Sequence, residues 1–443
     1  MKRLFILLTL VLQFSVVHAE DNKRVLILYA GLGGHATAAK SIESLILKEH
    51  PSYTVIRHDF ADETSGPAKF FITKAYDFFS RHASFINELL LKTLWWQESV
   101  MPRYVAQRGF NKLINPAPVL SYIESEKPDI IISTYFAAAE VLAVLRYQGH
   151  LRNTPIAWTH LDMVDQVYYQ QIGDELDMSF VPTKEMAASW AQTIGAEKVA
   201  ASGMPVMPKM TEPVDRSSRD KVAQQWGLDS NTPTVLLMGG SGGTLSYRAV
   251  IKDLVREYGT ERPLQVVAIC ATNTSAQKSL ENWKRSEDFP KNVGLLTTGF
   301  VPTEVLRKLQ SISDLIISKP GGLSSFELLS TQTPVILTES IGVQENLNAQ
   351  YLQKEGAALF VPKIRNVAPF AVQLLENPRA HQEMIENQQR LRESSFDFKK
   401  ITDWINQAHV VTTEPPALPV LKKIQELKKN SHVLSCQSIF LGT

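Results

Sequence analysis

Arg24-Val25-Leu26-Ile27-Leu28-Tyr29-Ala30-Gly31-Leu32-Gly33-Gly34-His35 is an apolar run closed by glycines, with helical spacing after it at Ala38, Ala39, Ile42, Leu45 and Ile46. A run apolar at nearly every position has both faces buried, and a glycine turn into an amphipathic helix is how a parallel strand hands over to its crossover. The same grammar returns at Thr234-Val235-Leu236-Leu237-Met238, followed at once by Gly239-Gly240-Ser241-Gly242-Gly243. Two such beginnings, each heading its own series, predict two doubly wound α/β domains facing each other across a cleft.

The first series continues with Tyr53 to His58 ending at Asp59, then Asp129 to Ser133, Ile156 to Thr159 and Met178 to Val181. The second continues with Leu264 to Cys270, Val293 to Leu296, Leu315 to Ile317, Val335 to Leu337 and Ala358 to Val361. Between them residues 204–233 carry Pro205, Pro208, Pro213 and Pro233 and read as the crossing from one sheet to the other. The expected domains are therefore 20–207 and 208–405, with a tail over 406–443 that includes the basic stretch Leu421 to Lys429.

A chain of 443 residues is past the size at which one core stops growing, which agrees with two domains. With 46 basic against 45 acidic residues the net charge of +1 sets aside a general nucleic-acid binder. Cys270 and Cys436 are predicted to be free thiols, and no ligand spacing for a metal is present. Lys2 and Arg3 precede an apolar stretch from Leu4 to Val17, and Val17-His18-Ala19 offers a small-residue cleavage site. Residues 1–19 read as a secretory signal peptide or as a membrane-associating segment, being too short for a comfortable span. Between Lys69 and Lys112 the pattern changes: ten aromatics, among them Trp95 and Trp96, stand with seven basic residues. Such a face can lie on an anionic membrane or grip an apolar substrate; it can equally be helices packed on the sheet.

Three clusters carry the candidate chemistry. His35 begins a helix, beside unpaired backbone N–H groups and the positive end of the dipole, which favours its neutral, proton-accepting form. Asp59 at the end of the second strand can hold a ribose, although it lies further from Gly31 than the usual dinucleotide spacing. In the second domain Ser318-Lys319-Pro320-Gly321-Gly322-Leu323-Ser324-Ser325-Phe326-Glu327 reads as strand end, glycine turn and helix start, where backbone N–H groups can cradle a pyrophosphate. Glu327, about one turn into that helix, is placed to take both hydroxyls of a ribose. After the next strand, Gly342-Val343-Gln344-Glu345-Asn346-Leu347-Asn348-Ala349 gathers amide and acid side chains of the kind a sugar ring needs.

In this combination and order the motifs resemble those of bacterial processive diacylglycerol glucosyltransferases and plant monogalactosyldiacylglycerol synthases, and more distantly the transferase that completes the lipid-linked peptidoglycan disaccharide. The likeness runs over roughly residues 24–390. It is carried by Gly31 to His35 with Ala38-Ala39, Pro128 to Ser133, Gly203 to Val206, Leu237 to Gly240, Thr298 to Val301, Lys319 to Gly322 with Glu327, and Gln344-Glu345 with Asn348-Ala349. The resemblance implies a GT-B fold, a UDP-hexose donor, a lipid acceptor, inversion at the anomeric carbon, peripheral membrane contact and no metal or other cofactor. It makes His35 the catalytic histidine and Asp162 an aspartate near the acceptor. Phe300 and Val301 would read the uracil through the backbone, Glu327 would bind the ribose, and Gln344 and Glu345 the sugar. Gly239, Gly240, Ser241, Lys319, Gly321 and Gly322 would surround the phosphates. Plant-type members carry a histidine where this chain has Val167, and the export-like N-terminus contrasts with the cytoplasmic membrane face on which the bacterial relatives work. Two other functions fit the same architecture: an epimerase acting on a UDP-sugar, and a non-catalytic nucleotide-sugar-binding protein.

Overall fold

The computed structural model describes residues 22–31, 34–64, 66, 69, 115–165, 167–339 and 343–408. Residues 1–21, nearly all of the aromatic and basic segment with Trp95 and Trp96, and the tail from 409 onward lie outside the described residues.

Among the described residues twelve strands form two separate parallel sheets of six. The first contains β1 (Arg24–Tyr29), β2 (Thr54–Asp59), β3 (Ile130–Ser133), β4 (Ile156–Thr159), β5 (Met178–Val181) and β6 (Val199–Ala201), in the order β2-β1-β3-β4-β5-β6. The second contains β7 (Thr234–Met238), β8 (Leu264–Ile269), β9 (Val293–Thr298), β10 (Leu315–Ser318), β11 (Val335–Leu337) and β12 (Leu359–Phe360), in the order β12-β11-β10-β7-β8-β9. The chain reverses its direction of travel across the first sheet between β1 and β3, and across the second between β7 and β10. Each reversal leaves a crevice at the carboxyl ends of the two strands, which is where open α/β sheets take their ligands. Both glycine turns of the sequence reading fall there. Met238 stands beside Ser318 in the register, so the Gly239 turn and the Gly321 turn leave the sheet side by side.

The central strands earned their reading by burial: Val25 to Leu28 and Val235 to Leu237 have essentially no exposed surface. The helices pack by one face. In Tyr247–Tyr258 the buried residues Tyr247, Val250, Ile251, Leu254, Val255 and Tyr258 follow helical spacing, and Ala38, Ala39, Ile42 and Ile46 do the same in His35–Glu49. Caps fix the starts of others, the Thr183 hydroxyl accepting from the Met186 N–H and the Asn273 side chain from Ala276.

The chain crosses between the sheets twice, and the crossings touch. Asp397 N–H donates to the Ser202 carbonyl at 3.1 Å, and at Gly203, whose φ is +76°, a β-carbon would lie 1.7 Å from the Ser395 carbonyl oxygen. Only glycine fits there. Where the sequence reading ran the second domain to residue 405, the helix Lys399–Gln407 packs instead on the first sheet. Ile401 and Ile405 are fully buried among Val25, Ile27, Ile42 and Ile130, and Lys23 donates to the Ile405 carbonyl. Among the described residues no helix is long and apolar enough to cross a membrane.

Candidate active site

The first domain brings His35 to the crevice between β1 and β3. Its helix begins at His35 with Gly34 as the N-cap, and the ring reaches the loop that follows β3. His35 Nδ1 lies 2.6 Å from the Thr134 carbonyl oxygen, and Thr134 Oγ1 donates back to the His35 carbonyl at 3.1 Å. A carbonyl can only accept, so Nδ1 carries the proton and Nε2 is left as the lone-pair nitrogen. Tyr135 meets the ring edge-on with centroids 5.0 Å apart. Burial pushes the imidazole down to about 4, against the smaller upward pull of the Thr134 carbonyl. The sequence argument expected the neutral form from the helix dipole; in the structure desolvation favours the same form.

Asp162 arrives from the end of β4, three residues beyond Thr159. Burial raises its carboxyl to about 7, Asn348 pulls it back by a hydrogen bond, and nearby Glu345 adds a further push upward. His160, its neighbour in sequence, is buried against Trp158 and Trp190 and held well below the ordinary histidine range by desolvation. Asp59, the other candidate of this domain, accepts from the Ala61 N–H at 3.0 Å, while its second oxygen sits against Gly31.

The second domain closes on these groups through one short helix, Gly322–Glu327. A β-carbon at Gly322 would lie 1.7 Å from the Leu161 carbonyl oxygen and 3.0 Å from Asp162 Oδ1; one at Gly34 would lie 3.2 Å from Leu323 Cβ. Gly34, which caps the helix of His35, and Asp162 therefore flank the first turn of the same helix. Ala38, Leu161 and Leu323 are buried in one apolar cluster that spans the two domains.

Behind that helix stand the phosphate-type groups. Gly239 and Gly243 have no room for side chains: a β-carbon would lie 2.4 Å from the Tyr247 hydroxyl at the first and 1.8 Å from the Cys270 carbonyl oxygen at the second. Gly240 has φ +68° and Ser241 is exposed at the tip. Lys319 is buried and donates to Thr244 Oγ1 at 3.1 Å, with Glu345 Oε2 at 3.9 Å. Its ammonium is thus directed at the end of the Gly239–Gly243 turn, and burial holds it below the usual lysine range while Glu345 and Glu339 oppose that. Gly321 and Gly322 are partly exposed in their own turn, and Gln344 and Glu345 are partly exposed at the start of the helix Val343–Lys354.

Glu327 is partly exposed, and desolvation raises its carboxyl to about 7. Phe300 is 74% exposed just after β9, while Val301 packs on the domain core. Both follow β9, the edge strand of the second sheet. Trp95 and Trp96 lie outside the described residues. Among the described residues no group of three or more His, Cys, Asp or Glu side chains is placed to hold a metal ion.

Two contributors were not singled out from sequence: Thr134 fixes the histidine tautomer and Thr244 receives Lys319. Asn348 was read among the amide side chains suited to a sugar, one turn after Gln344; in the structure it bridges Asp162 to the Pro320 carbonyl.

Residues 35–206 match the family model for monogalactosyldiacylglycerol synthase, and residues 234–401 match the glycosyltransferase family 28 C-terminal domain. A processive diacylglycerol β-glucosyltransferase of Bacillus licheniformis is 26% identical over 68% of this chain and 74% of its own. A probable chloroplastic monogalactosyldiacylglycerol synthase of Glycine max is 26% identical over 87% of this chain and 72% of its own. Among solved structures, Acinetobacter baumannii MurG superposes with a TM-score of 0.53 at 17% identity, over 87% of this chain and 100% of that one. A UDP-GlcNAc 2-epimerase from Neisseria meningitidis, bound to UDP-GlcNAc, superposes with a TM-score of 0.51 at 16% identity over the same shares. Structural likeness at this identity shows the fold alone, which transferases and epimerases have in common.

Proposed function

Since the chain belongs to the family of monogalactosyldiacylglycerol synthases and processive diacylglycerol glucosyltransferases, we propose that it moves a hexose from a UDP-sugar to diacylglycerol, with inversion. The observation that carries the reading is the meeting of the two domains at Gly322–Glu327. There Gly34, which caps the helix that begins at the neutral His35, and the Asp162 carboxyl, raised to about 7, flank the first turn of the opposite domain's helix. In this reading residues 20–207 with the returning helix Lys399–Gln407 hold the acceptor, and residues 208–398 hold the donor.

The reaction is a single displacement. The acceptor hydroxyl oxygen forms a bond to the anomeric carbon as the bond from that carbon to the diphosphate oxygen breaks, and UDP leaves with the electron pair. His35 Nε2 takes the hydroxyl proton, while Nδ1–H stays on the Thr134 carbonyl and steadies the imidazolium that forms. The diphosphate charge falls to the N–H groups of the Gly239 and Gly321 turns, Ser241 and Lys319. Glu327 takes the ribose hydroxyls, Gln344 and Glu345 the sugar, and the backbone of Phe300 and Val301 the uracil. The tight contact at Gly322 and Leu161 keeps water, the competing acceptor, from that side of the site.

The test is incubation of the protein with radiolabelled UDP-glucose or UDP-galactose and vesicles containing diacylglycerol, followed by lipid extraction. Label in a glycolipid is the expected result. An isomerised UDP-sugar formed without any lipid would favour the epimerase, and binding without either product would favour the non-catalytic reading.

Peripheral membrane contact is part of the same proposal, resting on the aromatic and basic composition around Trp95 and Trp96. Replacing both with serine is expected to lower cosedimentation with anionic vesicles several-fold while far-UV circular dichroism stays parental. Unchanged cosedimentation would return the segment to ordinary packing.

A further inference from the structure

Asn348 has no part in the chemistry above, yet it is fully buried between the two domains. Its Nδ2 donates to Asp162 Oδ1 at 2.9 Å and to the Pro320 carbonyl at 3.2 Å, and its Oδ1 accepts the Met163 N–H at 2.8 Å. Every partner has the right polarity. Turned over, the amide would set its oxygen against a carboxylate and a carbonyl and its NH2 against an N–H, so one orientation is fixed. Two of the partners follow β4 in the first domain, and Pro320 opens the glycine turn of the second. Gly322 completes the arrangement, since any side chain there would collide with the Leu161 carbonyl and crowd Asp162.

We propose that Asn348 is a positioning residue: it holds the Asp162 carboxylate against the donor-side glycine turn, and so ties the ionisation of Asp162 to the closed arrangement of the two domains. The inference rests on the glycosyltransferase reading for its meaning in the reaction. Among the described residues Asn348 supplies the side-chain hydrogen bond to Asp162, and that bond stabilises the charged form where burial disfavours it. The charged groups around Asp162 work the other way or are engaged elsewhere. Glu345, one turn earlier on the helix of Asn348, pushes the carboxyl up, and Lys319 is directed to Thr244 and Glu345. Glu327 closes the helix that begins at Gly322. Opening the domains would carry the asparagine and the glycine turn away from the aspartate together.

Asn348→Ala in the full chain is expected to raise the Asp162 titration midpoint by roughly one to two pH units, the worth of one hydrogen bond to a charged group. The midpoint is read from the carboxyl C=O band in difference infrared spectra, assigned through its loss in Asp162→Asn. The acid limb of the pH profile for transfer is expected to move in the same direction, with rate recovered at high pH. Asn348→Asp, which keeps the shape, is expected to move both further, since two neighbouring carboxyls cannot ionise independently. It decides the matter if the alanine variant does not fold. Variants that slow transfer equally at every pH, with the infrared midpoint unmoved, would overturn the proposal and leave Asn348 a packing residue. Should the parent protein form no glycolipid, the functional reading fails, and the infrared midpoints alone still decide whether Asn348 controls Asp162.

Discussion

Replacing His35 with alanine should lower the rate of sugar transfer by about 10²–10⁴-fold, the usual worth of a positioned general base. UDP-sugar affinity should stay near parental, because the lost interaction is made only while the proton is in flight. The geometry gives the reasons. Thr134 commits Nδ1 to donating, so the free nitrogen is the one facing away from the loop, and the domain that holds the donor is untouched by the substitution. The pH dependence follows with its sign. Burial places the imidazolium at about 4, so the ring is neutral and competent at every pH above that value, and protonation disables it only as the pH falls through about 4. Any loss of rate nearer neutrality must come from another group, and Asp162 and Glu327, both raised to about 7, are the groups that titrate there. The measurement is initial transfer rate and equilibrium UDP-glucose binding for the variant and the parent. Near-parental turnover excludes His35 as the base. Affinity lost along with turnover would make it a ligand of the diphosphate and leave Asp162 as the next candidate.

What the sequence made legible, and what it did not, divides along a physical line. Runs such as Val25 to Leu28 and Val235 to Leu237 announce themselves because a strand buried on both faces has no place for a polar residue. Strand β6, Val199–Ala201, was missed, since an apolar run of three residues at a sheet edge is too short to announce a strand. The glycine turns were legible because close backbone approach permits nothing larger, as the 1.8 Å clearance at Gly243 shows. The partner across a crevice was not. Thr134 meets His35 only because β3 lies beside β1, and strand order is a long-range fact that local pattern does not carry. The same holds for the helix Lys399–Gln407. Its buried face of Ile401 and Ile405 is readable as amphipathic, but that it returns to the first sheet is decided by the crossing at Gly203 and Ser395. Burial of the histidine ring, which lowers its basicity, was hidden for that reason too.

Glu327→Ala should weaken UDP-glucose binding by about 10–100-fold, because two ribose hydroxyls lose a charged acceptor and each such bond contributes about 1.5–3 kcal/mol before solvent makes up part of the loss. Unlike the histidine variant, this one should show its effect at equilibrium. The parent protein carries a pH signature that the variant lacks. In the free protein burial raises the carboxyl from 4.5 to about 7, so below pH 7 it is mostly protonated and accepts poorly. Two hydroxyl donors stabilise the anion, which lowers the carboxyl in the complex, so binding releases a proton at and below neutrality. Affinity in the parent should therefore be constant above about pH 8 and fall by up to tenfold for each unit below pH 7. Glu327→Gln, with no proton to lose, should be weaker at high pH and nearly flat across the same range. UDP-glucose is the ligand to use, since its diphosphate has no terminal phosphate group titrating near neutrality to mimic the effect. Calorimetry in two buffers of different ionisation enthalpy counts the released proton directly. Parallel pH curves for the parent and the glutamine variant, with equal proton release, would remove Glu327 from the ribose and leave its raised carboxyl a consequence of burial alone.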